Sequence, residues 1–437
     1  MILFSAIVLV PSLGAVLANL SSNRPWLRLV PVTLALELGL SLLQLTLAGT
    51  LGTDLPTSLL GLTVSLTPAG SLAILVSTLV VALAVSTGAE AHVTSATVSG
   101  GLVGIAGVAL ISLVGNNLIA MALALGCVVA ALLPAIAPPA AAPSLIRAGR
   151  RYVTWLILGS AALLMSGILD RFYQRQPGPG ILGPVAALFV IGIGMTIAAL
   201  PLSIWLPGLC LDAPIGAGMV VGILSVAGSS IVAGEIATNP WLFDEASSRI
   251  ALGAAGGFAG ILSAVFALGE RNPARSVAFL ISANANLALA GLAAAPHADP
   301  TGFTWVLSAQ ALAAALSLSC IGAVNGKLNG LAWRRPALAV SIAVAVVSLI
   351  GLPLTAGYVG RWLIASSTVG NHPVLVLETA IASAVGGLAA VRAFGLMVGR
   401  IDRRVGDPRV FDVVALAMTA IIVLAGLFPG PILAVLR

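Results

Sequence analysis

The sequence predicts an all-α, polytopic transmembrane bundle, and three observations carry that prediction. Only 8% of the 437 residues are charged and 59% are hydrophobic, with a mean hydropathy of +1.13, whereas soluble domains carry roughly 25% charged residues. Apolar stretches of the about 20 residues that one membrane crossing requires recur along the whole chain. Two of these stretches are interrupted by proline and glycine in mid-run, a pattern that points to an ion-transporting bundle with broken helices.

Taken in order, about fourteen segments meet the length requirement: residues 1–20, 29–50, 69–88, 93–113, 116–137, 152–169, 182–206 (broken), 214–234, 249–268, 274–295, 302–324, 337–370 (broken), 374–398 and 411–436. The first starts at Met1 without a basic leader and shows no small-residue cleavage site, so a retained helix is expected rather than a removed signal peptide. The Pro- and Ala-rich stretch Pro134 to Pro143, running on to Arg147, Arg150 and Arg151, is expected to be a short connector. No segment has the composition of a soluble domain, so residues 1–437 are expected to form a single membrane domain.

The cations sort by side. Loops after odd-numbered segments hold Arg24, Arg28, Arg147, Arg150, Arg151, Arg271, Arg275, Lys327, Arg334, Arg335, Arg400, Arg403, Arg404 and Arg409. Loops after even-numbered segments hold only Arg171, Arg175 and Arg249. By the positive-inside rule the odd loops face the cytoplasm and both termini face the other side. The net charge of +6 is thereby accounted for in short loops, and no nucleic-acid partner is expected.

The first interruption lies within Met195 to Gly218, where Pro201, Pro207 and Pro214 break an apolar run. A proline lacks a backbone N–H and frees a carbonyl one turn back, and an unsatisfied polar group costs on the order of 4 to 8 kcal/mol against hydrocarbon. Such a break must be buried in protein or line a wet cavity. The second interruption lies within Ser348 to Trp362, with Gly351, Pro353, Gly357, Gly360 and a lone Arg361.

These residues carry a family resemblance that runs over essentially the whole chain. The first break resembles the motif Pro-Leu-His-x-Trp-Leu-Pro-Asp-Ala followed by Ala-Pro-Thr, found in the antiporter-like membrane subunits of respiratory complex I, of membrane-bound hydrogenases and of Mrp sodium/proton antiporters. Pro201, Leu202, Trp205, Leu206, Pro207, Ala213 and Pro214 match, while Ser203 stands at the His and Gly208 at the Asp. The second break is similar to that family's Leu-Pro-x-x-x-Gly-Phe-x-Gly-Lys/Glu, through Leu352, Pro353, Gly357, Tyr358, Gly360 and Arg361. The resemblance implies two inverted five-helix repeats, residues 92–240 and 246–398, flanked by 1–91 and 399–437. It also implies a prokaryotic-type inner (plasma) membrane.

Ionisable groups in hydrocarbon cost at least about 2.5–3.5 kcal/mol at mid-helix and are candidates for function. Glu37, Arg361, Glu378 and Arg392 fall within the apolar segments. Arg361 occupies the position where the family has a Lys or Glu ending an internal proton path. An arginine stays protonated at physiological pH, so it sets a field rather than exchanging a proton; snorkelling or an ion pair with Glu378 is the structural alternative. Glu378 suits a helix-start carboxylate or a path residue, Glu37 a subunit contact or a path residue, and Arg392 suits snorkelling to the nearby boundary.

The resemblance also implies titratable groups that this chain lacks. Family members resemble one another in a Glu on span 5, a Lys on span 7 and a Lys or His on span 8. Here Gly126, Thr196 and Ser225 or Ala227 stand near those places, and Asn284 stands near a position that is often His. Ser203, Ser229, Ser230, Asn286 and Gln310 join Thr196, Ser225 and Asn284 as groups that suit either water-holding along a residual polar axis or plain helix packing. His92, His297 and His372 lie at segment ends, and Cys127, Cys210 and Cys320 are expected to be small buried residues without metal-ligand spacing.

Three functional readings follow. The first is an antiporter-like subunit of a complex I-like or Mrp-like ion-translocating assembly, partly structural and degenerate in proton conduction. It has no catalytic site, metal or cofactor of its own; its partners are the lipid bilayer and other membrane subunits, with any redox chemistry in partner subunits of an NADH-quinone oxidoreductase or hydrogenase type. The second is a stand-alone secondary transporter of a small solute that uses the breaks as its binding site. The third, suggested by the family, is the membrane subunit of an inorganic-carbon uptake complex.

Overall fold

The structure is a computed structural model that describes residues 2–20, 26–51, 57–59, 62–64, 67–87, 94–137, 142–175, 182–239, 242, 246–294, 300–370, 372–399 and 410–436. In chain order the helices are α1 (Ile2–Leu20), α2 (Trp26–Leu51), α3 (Pro68–Ser86), α4 (Ser95–Leu113), α5 (Leu118–Ile136), α6 (Pro143–Arg175), α7 (Leu182–Thr196), α8 (Leu206–Asp212) and α9 (Pro214–Thr238). They continue as α10 (Ala246–Gly269), α11 (Pro273–Ala294), α12 (Pro300–Ala323), α13 (Leu331–Arg334), α14 (Pro336–Ile350), α15 (Ala356–Thr368), α16 (Pro373–Val398), α17 (Val410–Leu427) and α18 (Gly430–Leu436). The chain is a multi-pass membrane protein: among the described residues ten helices are long and apolar enough to cross a bilayer. Four shorter apolar stretches lie in α1, α2, α7 and α14.

Local signals set where the helices begin. Thr67, Thr94 and Asn117 each accept a first-turn N–H, from Gly70 at 3.1 Å, Thr97 at 3.2 Å and Ala120 at 3.3 Å, which satisfies donors that a helix N-terminus otherwise leaves orphaned. Prolines open α9, α14 and α16, where their missing N–H costs nothing. An ion pair between Arg335 and Asp412 joins the start of α14 to the first turn of α17.

The centre of the bundle is α9, packed against α12, α3 and α4. It is buried along nearly its whole length, as are α11 and α12. Small residues permit that approach. Gly234 of α9 lies directly on the backbone of Gly115, and a Cβ there would collide.

Four details depart from expectation. A two-stranded antiparallel hairpin, β1 (Thr57–Leu59) and β2 (Leu62–Val64), pairs Thr57 with Val64 between α2 and α3. Arg147, Arg150 and Arg151 are not in a connector; α6 begins at Pro143 and carries them on its first turns. The last apolar segment is not one rod, because Pro429 cannot continue the helix and divides α17 from α18. Cys127 is exposed rather than buried, while Cys210 and Cys320 are buried.

Candidate functional site

Both sequence interruptions are interruptions of the helices, and each is closed by a tryptophan. At the first, α7 ends at Thr196 and the chain turns through Ile197 to Trp205 before α8. The buried indole of Trp205 donates to the carbonyl of Met195 at 3.2 Å, satisfying a group freed in the last turn of α7. At the second, Gly351 (φ 76°) ends α14, with Leu352 N–H on the Val347 carbonyl at 3.1 Å and Gly351 N–H on Ser348 at 3.0 Å. This is the double-bonded C-terminal cap that a left-handed glycine provides. The start of α15 is fixed by Trp305 of α12, whose indole donates to Ala356 at 2.8 Å, and by Ser348, which accepts the Gly357 N–H at 3.2 Å. Ala198 (φ 64°) and Leu354 (φ 72°) place one left-handed non-glycine residue in each break, the kind of strained backbone that gathers at functional sites.

Arg361 sits one turn into α15, 6% exposed. Its guanidinium donates to Ser383 of α16, to the Leu349 carbonyl at 2.8 Å and to Asn284 Oδ1 of α11 at 3.3 Å. Asn284 Nδ2 then donates to Gln310 Oε1 of α12 at 3.0 Å, and Gln310 Nε2 donates to Ser225 Oγ of α9 at 3.0 Å. The sense of the chain is dictated by its first member. A guanidinium has donors only, so Asn284 must present its carbonyl, which leaves its amide for Gln310 and that of Gln310 for Ser225. One buried cation thus orients side chains on three other helices, α11, α12 and α9, in an interior where such bonds reinforce one another.

The other expected residues are placed apart from this chain. Thr196 Oγ1 turns back to Gly192 at 2.8 Å, and Ser229 and Ser230 both bond to the Val226 carbonyl, at 2.8 and 3.1 Å. Asn286 donates to Ser282 at 2.8 Å, and Gly126 faces Ser160 of α6. Glu378 forms no ion pair with Arg361; its Oε2 is buried without a partner against the Cα face of Gly257 on α10. Arg392 lies exposed and donates to the Leu268 and Glu270 carbonyls at 3.2 and 3.4 Å, at the C-terminal end of α10 where a cation is favoured. Both oxygens of Glu37 and the amide of Gln44, two turns on, are buried in α2 without partners among the described residues. His372 precedes α16, while His92 and His297 lie outside the described residues.

The structure adds a buried acidic cluster. Asn239 Nδ2 donates to Glu235 Oε1 at 2.8 Å and to Asp170 Oδ2 at 3.2 Å, and Gln174 Nε2 reaches the same Asp170 oxygen at 2.9 Å. Asp170 and Glu235 are 5% and 2% exposed and line a 610 Å³ cavity between the ends of α6 and α9. The apolar segments 152–169 and 214–234 stop one residue short of each acid. The available signal was a carboxylate in the last turns of a helix, against the macrodipole, twice.

Comparison with known proteins places this geometry. Residues 181–391, which hold both breaks and the Arg361 chain, match the family described as NADH:quinone oxidoreductase/Mrp antiporter, TM. The chain is 30% identical over 313 residues to NADH-quinone oxidoreductase subunit N of Cereibacter sphaeroides, covering 65% of this chain and 67% of that one. Across the first several relatives the alignments span 52% to 67% of the relative's length. In fold it is similar to a chain of respiratory complex I from Thermus thermophilus (TM-score 0.83, 18% identity, 100% and 98% coverage) and to one of the Mrp complex from Dietzia sp. DQ12-45-1b (TM-score 0.79, 17% identity, 100% of both chains). On this evidence the chain belongs to the NADH:quinone oxidoreductase/Mrp antiporter transmembrane family.

Proposed function

We propose that this protein is an antiporter-like membrane subunit of a multi-subunit, complex I-like or Mrp-like assembly, in which its central polar chain is a fixed-charge tie rather than a titrating relay. The observation that carries the reading is the bonding of Arg361 through Asn284 and Gln310 to Ser225. An amide or hydroxyl cannot take up and release a proton at neutral pH as Lys, His or Glu can, and arginine does not give one up. The chain therefore holds α9, α11, α12 and α15 in register and presents one permanent charge at the second break.

In this reading fourteen crossings contain inverted repeats 92–240 and 246–398, with the arginine-rich loops in the cytoplasm and the plasma membrane as the site of action. Any redox chemistry belongs to partner subunits. Among the described residues, Glu37, Glu378 and the Asp170–Glu235 pair are carboxylates able to exchange a proton, and none of them joins the Arg361 chain among the described bonds.

Proton flux into liposomes holding the intact assembly tests the proposal. Wild type and Arg361→Ala are expected to conduct equally through this subunit while the variant assembly is less stable. A flux that collapses in Arg361→Ala at unchanged subunit content sinks the fixed-tie reading. Purification of an active chain with no associated subunits sinks the assembly.

A further inference from the structure

Beside the first break a cavity of 540 Å³ opens between the start of α6 and the start of α11, lined by Arg147, Arg151, Ser203, Asp212, Arg275 and Phe279. Arg275 leans on Glu270 at 3.4 Å. Arg147 and Arg151, one turn apart on α6, have no ion pair among the described residues, and Asp212 pairs with neither. The Arg151 guanidinium hangs 3.9 Å from where a side chain at Gly208 would begin, and that position of α8 offers it no acidic partner.

A second cavity, of 200 Å³, lies next to the first, and Leu200 lines both. Its lining is apolar apart from Asn286: Val190, Leu202, Ala255, Leu289 and Ala293 are representative. Along α11 the distance from Phe279, in the basic cavity, to Leu289, in the apolar one, is about 15 Å at 1.5 Å per residue. That matches one leaflet of a hydrocarbon core about 30 Å thick.

We infer that the two cavities that share Leu200 together hold one anionic phospholipid, its phosphate on Arg147 and Arg151 and one acyl chain past Leu200 between α7, α10 and α11. A free anion has no use for the apolar extension. A zwitterionic lipid brings the same phosphate but with an ammonium group beside it, which the neighbouring guanidiniums of Arg147, Arg151 and Arg275 disfavour. Arginine is suited to phosphate because its planar fork binds two oxygens together, and basic pockets between membrane helices select anionic headgroups for that reason. The occupant seals the first break against the bilayer, supplying at Leu200 and Ile204 the contact that protein supplies at Trp205.

The test is native mass spectrometry of the full chain in its purified assembly, after detergent delipidation and re-exposure to nanodiscs of phosphatidylethanolamine with or without phosphatidylglycerol. One phosphatidylglycerol retained per chain is expected in wild type. Retention should fall about tenfold or more, some 1.4 kcal/mol or above, in Arg147→Gln/Arg151→Gln. It should fall also in Ala255→Phe, which fills the apolar cavity without touching a charge, and should hold in Arg392→Gln. Thermal midpoints guard against misfolding, and Ala255→Phe keeps the test standing if the arginine variant fails to fold. Equal retention of the two lipids, retention unaffected by Ala255→Phe, or displacement by inorganic phosphate alone overturns the proposal. So does cross-linking of a neighbouring subunit's acidic segment from a cysteine placed at Ser144.

Discussion

Asn284 faces Arg361 with its carbonyl, at 3.3 Å, and Gln310 with its amide, at 3.0 Å. The residue is therefore an adaptor between a cation and a neutral hydrogen-bond chain. Asn284→Leu should leave a guanidinium N–H and the Gln310 carbonyl without partners, each costing about 1–3 kcal/mol when buried. A fall in the thermal unfolding midpoint is expected, and the double substitution with Gln310→Leu should cost less than the sum of the two single losses. Additive losses would show that the two side chains do not act as one chain.

The tryptophans at the breaks make a separable prediction. Trp205→Phe and Trp305→Phe keep an aromatic ring but remove the N–H that reaches Met195 or Ala356. Each should destabilise by about 1–3 kcal/mol, and hydrogen exchange should rise at residues 197–205 in the first variant and 351–357 in the second. Unchanged exchange in both breaks would mean that other bonds hold them.

Much of this arrangement was legible in the sequence, and the reasons differ by residue. Pro201, Pro207, Pro353 and Gly351 mark the breaks because their backbone constraints are local. Ser225, Asn284, Gln310 and Arg361 stood out as polar groups in apolar runs, but their joining is a property of four helices, and sequence separation does not encode it. The Arg361–Glu378 pairing did not form for a geometric reason. Ser383, the residue of α16 that does meet Arg361, lies five positions on from Glu378, about 7.5 Å along the helix axis. Asp170 and Glu235 were missed because helix ends are the least certain part of a hydropathy reading, and both acids sit one residue beyond the predicted boundary.

Asn239 should be needed wherever Asp170 and Glu235 are both ionised, since its amide is the donor that separates them. Asn239→Leu is expected to lower the thermal midpoint by more than the Trp variants do, because hydrogen bonds to charged groups are worth about 1.5–3 kcal/mol each. Adding Glu235→Gln should restore part of the loss by removing one charge. A second substitution that deepens the loss would contradict the bridging role.

Glu37 separates a structural from a conducting carboxylate. Both of its oxygens lack partners in the described residues of a 1%-exposed site. If burial alone governs it, Glu37→Leu should be neutral or stabilising, because an apolar group of similar shape removes a desolvation cost. Flux through the intact assembly should then match wild type in Glu37→Leu and Glu37→Gln alike. Flux lost in both, with normal assembly and unfolding temperature, would instead place this carboxylate on a proton route.

Gly257 and Glu378 supply the sharpest packing test. A Cβ at Gly257 would fall on the Glu378 carboxylate, so the helices α10 and α16 meet closely only because position 257 carries no side chain. Gly257→Ala alone normally favours a helix by about 1 kcal/mol, which sets the sign to beat. Here the methyl group must expel a carboxylate whose Oε2 is already buried and unpartnered, so a net loss of stability is expected. Glu378→Ala should reverse that loss and let the propensity gain appear, giving a double-mutant coupling energy of about 0.5–3 kcal/mol. A Gly257→Ala variant more stable than wild type with Glu378 in place would show that the carboxylate swings clear without cost, and that its burial against α10 holds nothing together.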